Sequence, residues 1–426
     1  MVPEGLQQQI QEQLGGVRQV DLLVGLPTFN NAATAGQVVH TMVAGVRRVL
    51  PHASVLLLNV DTGSQDGTPD IVRQAVGARL PTVLLSNVGV STLLNSFAAP
   101  TLSESGVLGR EQAFRALFAS AELLQPKATL FMEADLQSMA EDWSGLLLAP
   151  LLEKQADFVA PLYRRPRYEG SLTNNLIYPL NRALYGRRLH CHTGGAYGFS
   201  TRLMQGYLRD AIWEERTSPF GIETWLATVP LAEGYEVYEA FLGDKVQAGA
   251  SRHAALPLAL AQAVGTVFQL MERYQDVWEG RTGSSPIPVV GPQYAPGEGT
   301  VSINVERMIN GFRQGLRDLL PVWEIILAPE TLAAILPLGL AEVEEFRMPP
   351  TLWVQIVLDF ALAFHEKVLH REHVLKSLTP LYLARTASQV LETTGGGVEA
   401  LERSIETLCE TFEHMKPYLI QRWRFP

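Results

Sequence analysis

The first half of the chain alternates short apolar runs with segments whose apolar residues recur at helical spacing. Residues 21–26, 55–60, 82–86 and 128–132 are rich in leucine or branched residues and end at turn residues, which is typical of buried strands. Residues 35–49 and 111–124 lie between them with helical spacing. Such alternation predicts a parallel sheet with right-handed crossovers, whose ligands bind beyond the carboxyl ends of the strands. The residues that follow each strand are therefore the candidates for function.

The pattern changes in the second half. Two more strands are predicted at 157–163 and 237–242, and a stretch rich in Gly, Pro and Ser at 280–299 predicts a long loop. Helical spacing dominates the remainder, and 426 residues are too many for one compact core. We therefore predict an α/β domain with a Rossmann-like, mostly parallel sheet over residues 1–254, followed by a mainly α-helical domain over residues 255–426.

Composition excludes several classes of protein. A net charge of -10 argues against a nucleic-acid binder, which normally carries a basic surface. The two cysteines, Cys191 and Cys409, fit a reducing compartment. Apolar tracts are interrupted well short of a membrane span, and the first residues lack the basic and apolar regions of a secretory signal. We expect a soluble, cytoplasmic protein that binds no nucleic acid and spans no membrane.

Polar loops follow the first two predicted strands. Pro27, Thr28 and Asn30 leave backbone groups available to a base or a ribose, although a capped helix start explains them about equally well. Asp61 opens a dense Asp/Gly/Ser turn at 61–68, where a carboxylate can face a base-ring N–H and glycines allow close approach. The alternative for this second loop is an ordinary strand–helix connection. We favour nucleotide binding for the second loop and keep it as a candidate role of the first.

Two carboxylates, Glu133 and Asp135, follow the fourth predicted strand. Where the chain leaves the strand they can converge, one on a divalent cation and the other on its waters or on a ribose hydroxyl. Hard oxygen ligands suit Mg²⁺ or Mn²⁺, which usually arrive with substrate phosphates. A cation at this place would neutralise a departing nucleoside diphosphate, and we assign Asp135 a catalytic role as well as a metal-binding one.

Together the three loops resemble those of GT-A fold glycosyltransferases of the family-2-like group. The resemblance implies that Asp61 reads the nucleobase and that Glu133 and Asp135 stand where that family has its metal-binding acidic motif. It also implies that Gly109 and Arg110 contact the donor.

Two later segments narrow the resemblance. Residues 192–195 and 220–225 are similar, in order and spacing, to segments of the retaining mannosylglycerate synthases and glucosyl-3-phosphoglycerate synthases. This similarity implies transfer of a hexose, with retention, from a nucleoside-diphosphate sugar to an acceptor of the glycerate or phosphoglycerate type, to make a compatible solute. One departure concerns the acceptor, because the Gly-Gly-Glu of those enzymes is Gly194-Gly195-Ala196 here.

The resemblance leaves the third metal ligand open. The late metal-binding histidine of those enzymes aligns best with Gln247, and His253 lies six residues further on. Glu223 is surrounded by apolar residues in the sequence. A carboxylate there can orient the acceptor hydroxyl or stabilise positive charge on the sugar. The alternative for Glu223 is a helix-start glutamate favoured by the helix dipole.

A cluster of cations and small residues predicts the acceptor site. Arginine forks suit carboxylate or phosphate, and backbone N–H groups at a glycine pair can bind the same anion. The alternative is a solvated loop with salt bridges. The candidate acceptor residues are Arg164, Arg165, Arg167, Arg188, Thr193, Gly194 and Gly195.

Other acceptors and a protein without enzymatic activity are also compatible with the sequence. The acceptor could instead be a polyprenyl phosphate or a growing glycan, and a third possibility is an inactive protein that only binds a sugar nucleotide. Helical C-terminal regions of this kind often form symmetric dimers, so we expect a homodimer through residues 255–426.

Overall fold

The computed structural model describes residues 8, 10–13, 17–85, 107–210, 221–247, 256–294, 297 and 299–424. An eight-stranded sheet dominates the first half of this described part, with the strand order β10-β8-β5-β7-β4-β1-β2-β3. β6 and β9 pair separately. The strands are β1 (Leu22–Thr28), β2 (Val55–Asp61), β3 (Thr82–Leu85), β4 (Ala128–Met132), β5 (Phe158–Arg164), β6 (Arg187–Arg188), β7 (Ala196–Phe199), β8 (Val237–Asp244), β9 (Ser285–Pro286) and β10 (Val289–Val290).

The sheet is mostly parallel, as the sequence predicts. The one reversed strand among the described residues is β7, which runs antiparallel between β4 and β5. β7 was not predicted, because four residues that follow a glycine pair and contain Gly198 carry no clear strand pattern. Its reversal brings its N-terminus to the edge where β1, β2, β4 and β5 end, which is the edge predicted to bind ligands.

Helices cover both faces of the sheet and form most of the second half, as predicted. None of the described helices is long and apolar enough to cross a membrane. A π-helix, Thr173–Ile177, leads into α5, and a 3₁₀-helix, Leu336–Leu340, follows α12. The α-helices are α1 (Ala35–Val49), α2 (Thr68–Val76), α3 (Val107–Leu124), α4 (Asp142–Leu152), α5 (Tyr178–Tyr185), α6 (Thr201–Leu208), α7 (Ile222–Glu233), α8 (Leu256–Arg273), α9 (Gln275–Trp278), α10 (Val305–Asp318), α11 (Leu320–Ile326), α12 (Pro329–Ile335), α13 (Pro350–Glu366), α14 (Arg371–Ser377), α15 (Thr379–Thr393) and α16 (Gly397–Arg424).

Apolar helix faces explain why the central strands are buried on both sides. α1 packs Val39 and Met42 into the core on one face of the sheet. α3 packs Phe114 into the core on the other face, where its ring stacks on Phe131 of β4 with ring centres 3.9 Å apart. This second core continues into the helical region as far as Trp423.

The stretch 280–299 differs from the prediction of a structureless loop. Ser285–Pro286 pairs with β6, and Val289–Val290 adds an edge strand beside β8. The surrounding glycines and prolines hide two strands that are only two residues long. The sheet thus includes residues beyond position 254, and the division into domains at that position stays a prediction.

The C-terminal helix α16 is joined to α5 by buried cations. Arg182 of α5 has a side chain that is 1% exposed and donates to Glu406 (2.6 and 2.8 Å) and Glu413 (2.7 Å) of α16. In return, Lys416 of α16 donates to the carbonyl oxygens of Ala183 (2.8 Å) and Leu184 (3.2 Å) near the end of α5. These bonds satisfy carbonyls that a helix end otherwise leaves unpaired.

We expect Arg182→Met to lower the free energy of unfolding by about 3 kcal/mol, because it removes three hydrogen bonds between charged groups that join α5 to α16. Chemical denaturation measures the change. The control Arg188→Met removes a single hydrogen bond to Ser284 and should cost about 1 kcal/mol or less. Equal losses in the two variants would contradict a stabilising role for the Arg182 network.

Candidate functional site

The ends of β1 and β2 hold a buried carboxylate. Thr28 and Asp61 are neighbours in the register of these strands, and the Thr28 hydroxyl donates to Asp61 (2.8 Å). Asp61 also accepts from the Ser64 hydroxyl (2.6 Å) and from the backbone N–H groups of Gly63 (3.0 Å) and Ser64 (2.8 Å). Four bonds use the lone-pair sites of an ionised carboxylate. Asp61 therefore shapes its own loop, and base reading by Asp61, which stays a prediction, requires one hydroxyl to turn away.

The loops that follow β1 and β2 are hydrogen-bonded to each other. Asn30, with a left-handed φ of 51°, donates its N–H to Ser64 (2.9 Å) and accepts from the N–H of Gln65 (3.0 Å). Pro27 lies within β1, opposite Val60. The predicted nucleotide-binding residues of the two loops thus form one continuous surface, the loop surface, at the edge of the sheet where the carboxyl ends of the strands lie.

Gln247 lies between the two carboxylates that follow β4. Its amide nitrogen is 2.7 Å from Glu133 Oε2 and 2.9 and 3.0 Å from the two oxygens of Asp135. The segment after β8 runs beside the Asp135 loop, through a bridge between Leu136 and Gln247, which explains this placement. The structure thus brings together three of the four predicted metal ligands, and His253 lies outside the described residues.

The donor atoms at this place suit a divalent cation. Among the described residues no group of three or more His, Cys, Asp or Glu side chains could hold a metal ion, and the third protein ligand that they offer beside Glu133 and Asp135 is the Gln247 amide. When the Gln247 amide group turns over, its oxygen and nitrogen exchange places. Its Oε1 would then lie at the position between the Glu133 and Asp135 carboxylates. Glu133, Asp135 and Gln247 then offer the hard oxygen ligands that Mg²⁺ and Mn²⁺ prefer.

Arg110 joins Glu133 to a second buried carboxylate, Glu223. Arg110 lies with Gly109 in the first turn of α3, 2.5 Å from Glu133 Oε1 and 3.8 Å from Glu223 Oε2. Glu223 lies in the first turn of α7 with a side chain that is 11% exposed, and burial raises its pKa although Arg110 opposes the shift. Burial alone would lower the pKa of Arg110, but attraction to Glu133 and Glu223 raises it. Arg110 therefore stays charged.

The glycine pair before β7 is required by close packing. A Cβ at Gly195, whose φ is 76°, would lie 2.5 Å from Glu133 Oε2, and a Cβ at Gly194 would lie 2.1 Å from Pro161. The carbonyl of Gly195 accepts from the N–H of Glu133 (2.8 Å). The N–H of Gly194, which the sequence analysis offered to an anion, donates to the Tyr197 hydroxyl (2.6 Å). The pair thus sets the position of Glu133.

The four candidate arginines do not converge on one point. Arg164 forms a two-bond ion pair with Asp244 (2.6 and 2.7 Å) at the surface. Arg188 lies in β6 and donates to Ser284 (3.2 Å). Each of these two arginines thus has a local partner, and only that of Arg164 is the salt bridge named in the alternative; their role at an acceptor site stays a prediction.

Arg165 and Arg167 line a cavity of about 380 Å³ beside the glycine pair. Arg165 donates to the carbonyl of Thr193 (3.1 Å), which fixes it against the loop before β7. The opposite wall is the first half of α16, including Leu401. Sequence spacing could not indicate this wall, because its residues lie more than two hundred positions from the arginines.

Sequence reasoning also missed aromatic and basic residues at the site. Tyr163, at the end of β5, donates its hydroxyl to the carbonyl of Gly194 (3.0 Å), and Lys245 Nζ lies 5.4 Å from the centre of its ring. His192 is buried with no hydrogen-bond partner for either ring nitrogen, and burial lowers its pKa to about 3, so it is neutral. An aromatic residue at the carboxyl end of a predicted strand was the available signal for Tyr163.

Comparison with known proteins shows only distant likenesses. No protein-family model matches the sequence, and no curated protein matches it. Glucosyl-3-phosphoglycerate synthase from Mycobacterium tuberculosis, in complex with Mn²⁺, UDP and glucosyl-3-phosphoglycerate, is similar at 18% identity and a TM-score of 0.44, over 62% of this chain and 83% of that chain. The same enzyme with phosphoglyceric acid shows 19% identity and a TM-score of 0.42, over 62% and 83%. A mycobacterial protein shows 20% and 0.43, over 65% and 79%. Such distant likenesses transfer no ligand or mechanism to this chain.

We expect Gly195→Ala to displace Glu133 and to weaken Mn²⁺ binding at least tenfold, because the new methyl group would overlap the Glu133 carboxylate. Titration of Mn²⁺ followed by electron paramagnetic resonance measures the affinity. Gly234→Ala is the matched control: its φ of 73° imposes the same backbone strain, about 1 kcal/mol, but nothing lies within 4 Å of the added Cβ. The prediction fails if both variants bind Mn²⁺ like the parent protein.

Proposed function

We propose that this chain is a glycosyltransferase that moves a hexosyl group from a nucleoside-diphosphate sugar to a small anionic acceptor. The observation that carries the proposal is the convergence of Glu133, Asp135 and Gln247 at the end of β4. The arginine-lined cavity is connected to this point through Tyr163, which lines the cavity and donates to Gly194 of the glycine pair. A diphosphate needs positive charge and hard oxygen ligands, and an acceptor needs an adjacent pocket.

In this proposal the nucleotide-sugar donor binds along the surface formed by the loops after β1 and β2. The resemblance of the three loops implies the donor class, with Asp61 near the base and Arg110 near the diphosphate. Glu133, Asp135 and Gln247 would hold a divalent cation, which supplies charge neutralisation for the leaving diphosphate. Arg110 stays charged beside Glu133 and Glu223, so it can stabilise the same negative charge directly.

Glu223 is the proposed catalytic carboxylate on the acceptor side. Its burial and its raised pKa suit a group that orients an acceptor hydroxyl or responds to positive charge on the sugar. Retention of configuration follows from the resemblance alone and forms part of the proposal. The acceptor would lie in the cavity, with Arg165 and Arg167 as its anion-binding groups.

A second candidate function is favoured by one observation. Within the chain, Arg110 forms an ion pair with Glu133, and the Gln247 amide donates hydrogen bonds to Glu133 and Asp135. Such internal partners would suit a protein that binds a sugar nucleotide without turning it over. Metal-dependent release of a nucleoside diphosphate from a nucleotide sugar separates the two candidates. The homodimer predicted through the helical region and the cytoplasmic location stay predictions.

Thermal-shift measurements with UDP-, GDP- and ADP-sugars, each with Mn²⁺ or Mg²⁺, test the proposal. A ligand at a hundred times its Kd stabilises a folded protein by about 2.7 kcal/mol. We expect at least one of these donors to raise the melting temperature, with a larger rise when the metal is present. Absence of a shift with all of them would overturn the proposed function.

We expect Asp135→Asn to abolish transfer and the metal-dependent part of donor binding while leaving the melting temperature of the free protein nearly unchanged. An amide cannot supply the negative charge that a divalent cation requires. Isothermal titration of the donor with and without Mn²⁺ measures the effect. Asp142→Asn, an exposed residue in the first turn of α4, is the control and should behave like the parent protein. Unchanged metal-dependent affinity in Asp135→Asn would show that the assignment is wrong.

We expect Asp61→Ala to weaken nucleotide binding by about 1–3 kcal/mol, the cost of stranding buried polar groups. The loss should appear without metal, since the base is remote from the phosphates. Titration with the free nucleoside diphosphate in a chelating buffer measures it. A loss that appears only with metal would place Asp61 in the metal site.

A further inference from the structure

The cavity beside the glycine pair is lined by both halves of the chain. Arg165, Arg167 and Tyr168 lie on one side, and Val398 and Glu402 of α16 lie on the other. Its volume of about 380 Å³ lies within the range of about 300–1,000 Å³ that is typical of sites for drug-sized ligands. A three-carbon acid would leave much of this space unfilled.

The backbone around the cavity adopts two uncommon conformations. Tyr168 is buried with a φ of 68°, in the left-handed region that bulky residues rarely adopt, and its hydroxyl bonds to Thr393 Oγ1 at 3.0 Å. Thr173 and Asn174 line the cavity from the π-helix Thr173–Ile177. Backbone strain and π-helical turns concentrate at functional sites, because the surrounding structure maintains them at a cost. The cavity is therefore a built site.

Two arginines at the cavity are held over tyrosine rings. The guanidinium carbons of Arg165 and Arg167 each lie 5.8 Å from a ring centre, that of Tyr163 and that of Tyr168 respectively. Arg167 Nη1 is buried and has no hydrogen-bond partner. Leaving a buried charged donor unpaired is costly, and an anionic ligand toward which Arg167 turned would remove that cost.

The cavity also carries negative charge, which limits the ligand to one acidic group. Glu169 and Glu402 line it, together with Glu406, which pairs with Arg182. A second anionic group on the ligand would be repelled by the first two carboxylates. Hydroxyl groups would instead donate hydrogen bonds to them.

Tyrosines supply the remaining walls. Tyr163 and Tyr178 line the cavity with Tyr168 and Tyr294. Aromatic rings present apolar faces on which the C–H faces of a pyranose ring can pack. One anion, several hydroxyls and an aromatic-packed ring together describe a sugar acid.

We propose that the acceptor is a monoanionic sugar acid, with its carboxylate at Arg165 and Arg167 and its ring between the tyrosines and α16. This inference rests on the proposed function and names its acceptor class. In the transfer, an acceptor hydroxyl oxygen bonds to the anomeric carbon of the donor sugar as the bond from that carbon to the diphosphate breaks. The hydroxyl proton leaves with the diphosphate.

The test measures acceptor binding to the full chain by isothermal titration with D-glucuronate as the probe. Three comparison ligands each depart from the features of a monoanionic sugar acid. D-glucose has no acid, D-glycerate has no ring, and 3-phosphoglycerate has no ring and carries a second acidic group. We expect glucuronate to bind at least tenfold more tightly than each of them. Equal or tighter binding of glycerate or 3-phosphoglycerate, or no glucuronate binding at millimolar concentration, would overturn the inference.

Variants on both walls locate the binding. Val398→Trp should raise the glucuronate Kd at least tenfold by filling the cavity, whereas Glu399→Trp, the neighbouring exposed position, should not change it. Arg167→Gln should raise this Kd tenfold, and Arg403→Gln, exposed on α16, should leave it unchanged. Unchanged affinity in both Val398→Trp and Arg167→Gln would place the ligand elsewhere.

A charge change gives a test that does not disturb packing. Glu402 is exposed, so Glu402→Gln should fold normally and should tighten 3-phosphoglycerate binding relative to glucuronate. An unchanged ratio would contradict the role of negative charge in selection. Nucleotide-sugar binding, measured separately, distinguishes failure of the proposed function from failure of this inference. Absence of nucleotide-sugar binding overturns the proposed function. Nucleotide-sugar binding without glucuronate binding overturns the inferred acceptor class alone.

Discussion

The buried carboxylate of Glu133 is the constraint on which the arrangement of the site depends. A buried charge must be paired and hydrogen-bonded, or it would lose its ionisation or unfold its surroundings. Arg110 from α3, the Gln247 amide from the segment after β8, and the backbone of Gly195 before β7 all contact this one residue. Segments that are more than a hundred positions apart in sequence are therefore held at a single point. Gln247 also contacts Asp135 and Arg110 also lies near Glu223, which places a candidate metal site next to a candidate catalytic carboxylate.

The helical second half of the chain has a structural and a site-forming role. Arg182 and Lys416 tie α16 to α5 through buried bonds, so the wall that α16 gives to the cavity is held in place. Tyr168 links the same region to α15 through Thr393 and packs near Leu401. In this arrangement the C-terminal helices are part of the pocket rather than an appendage, which explains why the hydrophobic core runs without a break from the sheet into them.

The sequence predicted those features that arise from local periodicity and from the order of elements. β1 to β4, the edge of the sheet that carries the polar loops, and the meeting of Glu133, Asp135 and Gln247 followed from strand patterns and from the family resemblance. Features that depend on long-range packing were missed: β7 is too short to show a pattern, and the α16 wall has no local signal. The roles of Arg164 and Arg188 could not be separated from those of Arg165 and Arg167, because residue type indicates charge but not the partner that a neighbouring segment supplies. Asp61 shows the same limit, since its four hydrogen bonds depend on loop geometry.

The reversed strand β7 has a mechanical consequence. It lies between β3-β2-β1-β4, which carry the proposed donor site, and β5-β8-β10, which adjoin the proposed acceptor cavity, and it is the strand of the described sheet that joins them. It spans only four residues, and it pairs with β5 at just two of them, Phe158↔Phe199 and Val159↔Gly198. A small shift of β5 along β7 at these two pairs would change the distance between the carboxylates after β4 and the cavity beside β5. The spacing at which the two proposed substrates meet would then depend on the pairing of one short strand as well as on the loops that contact them.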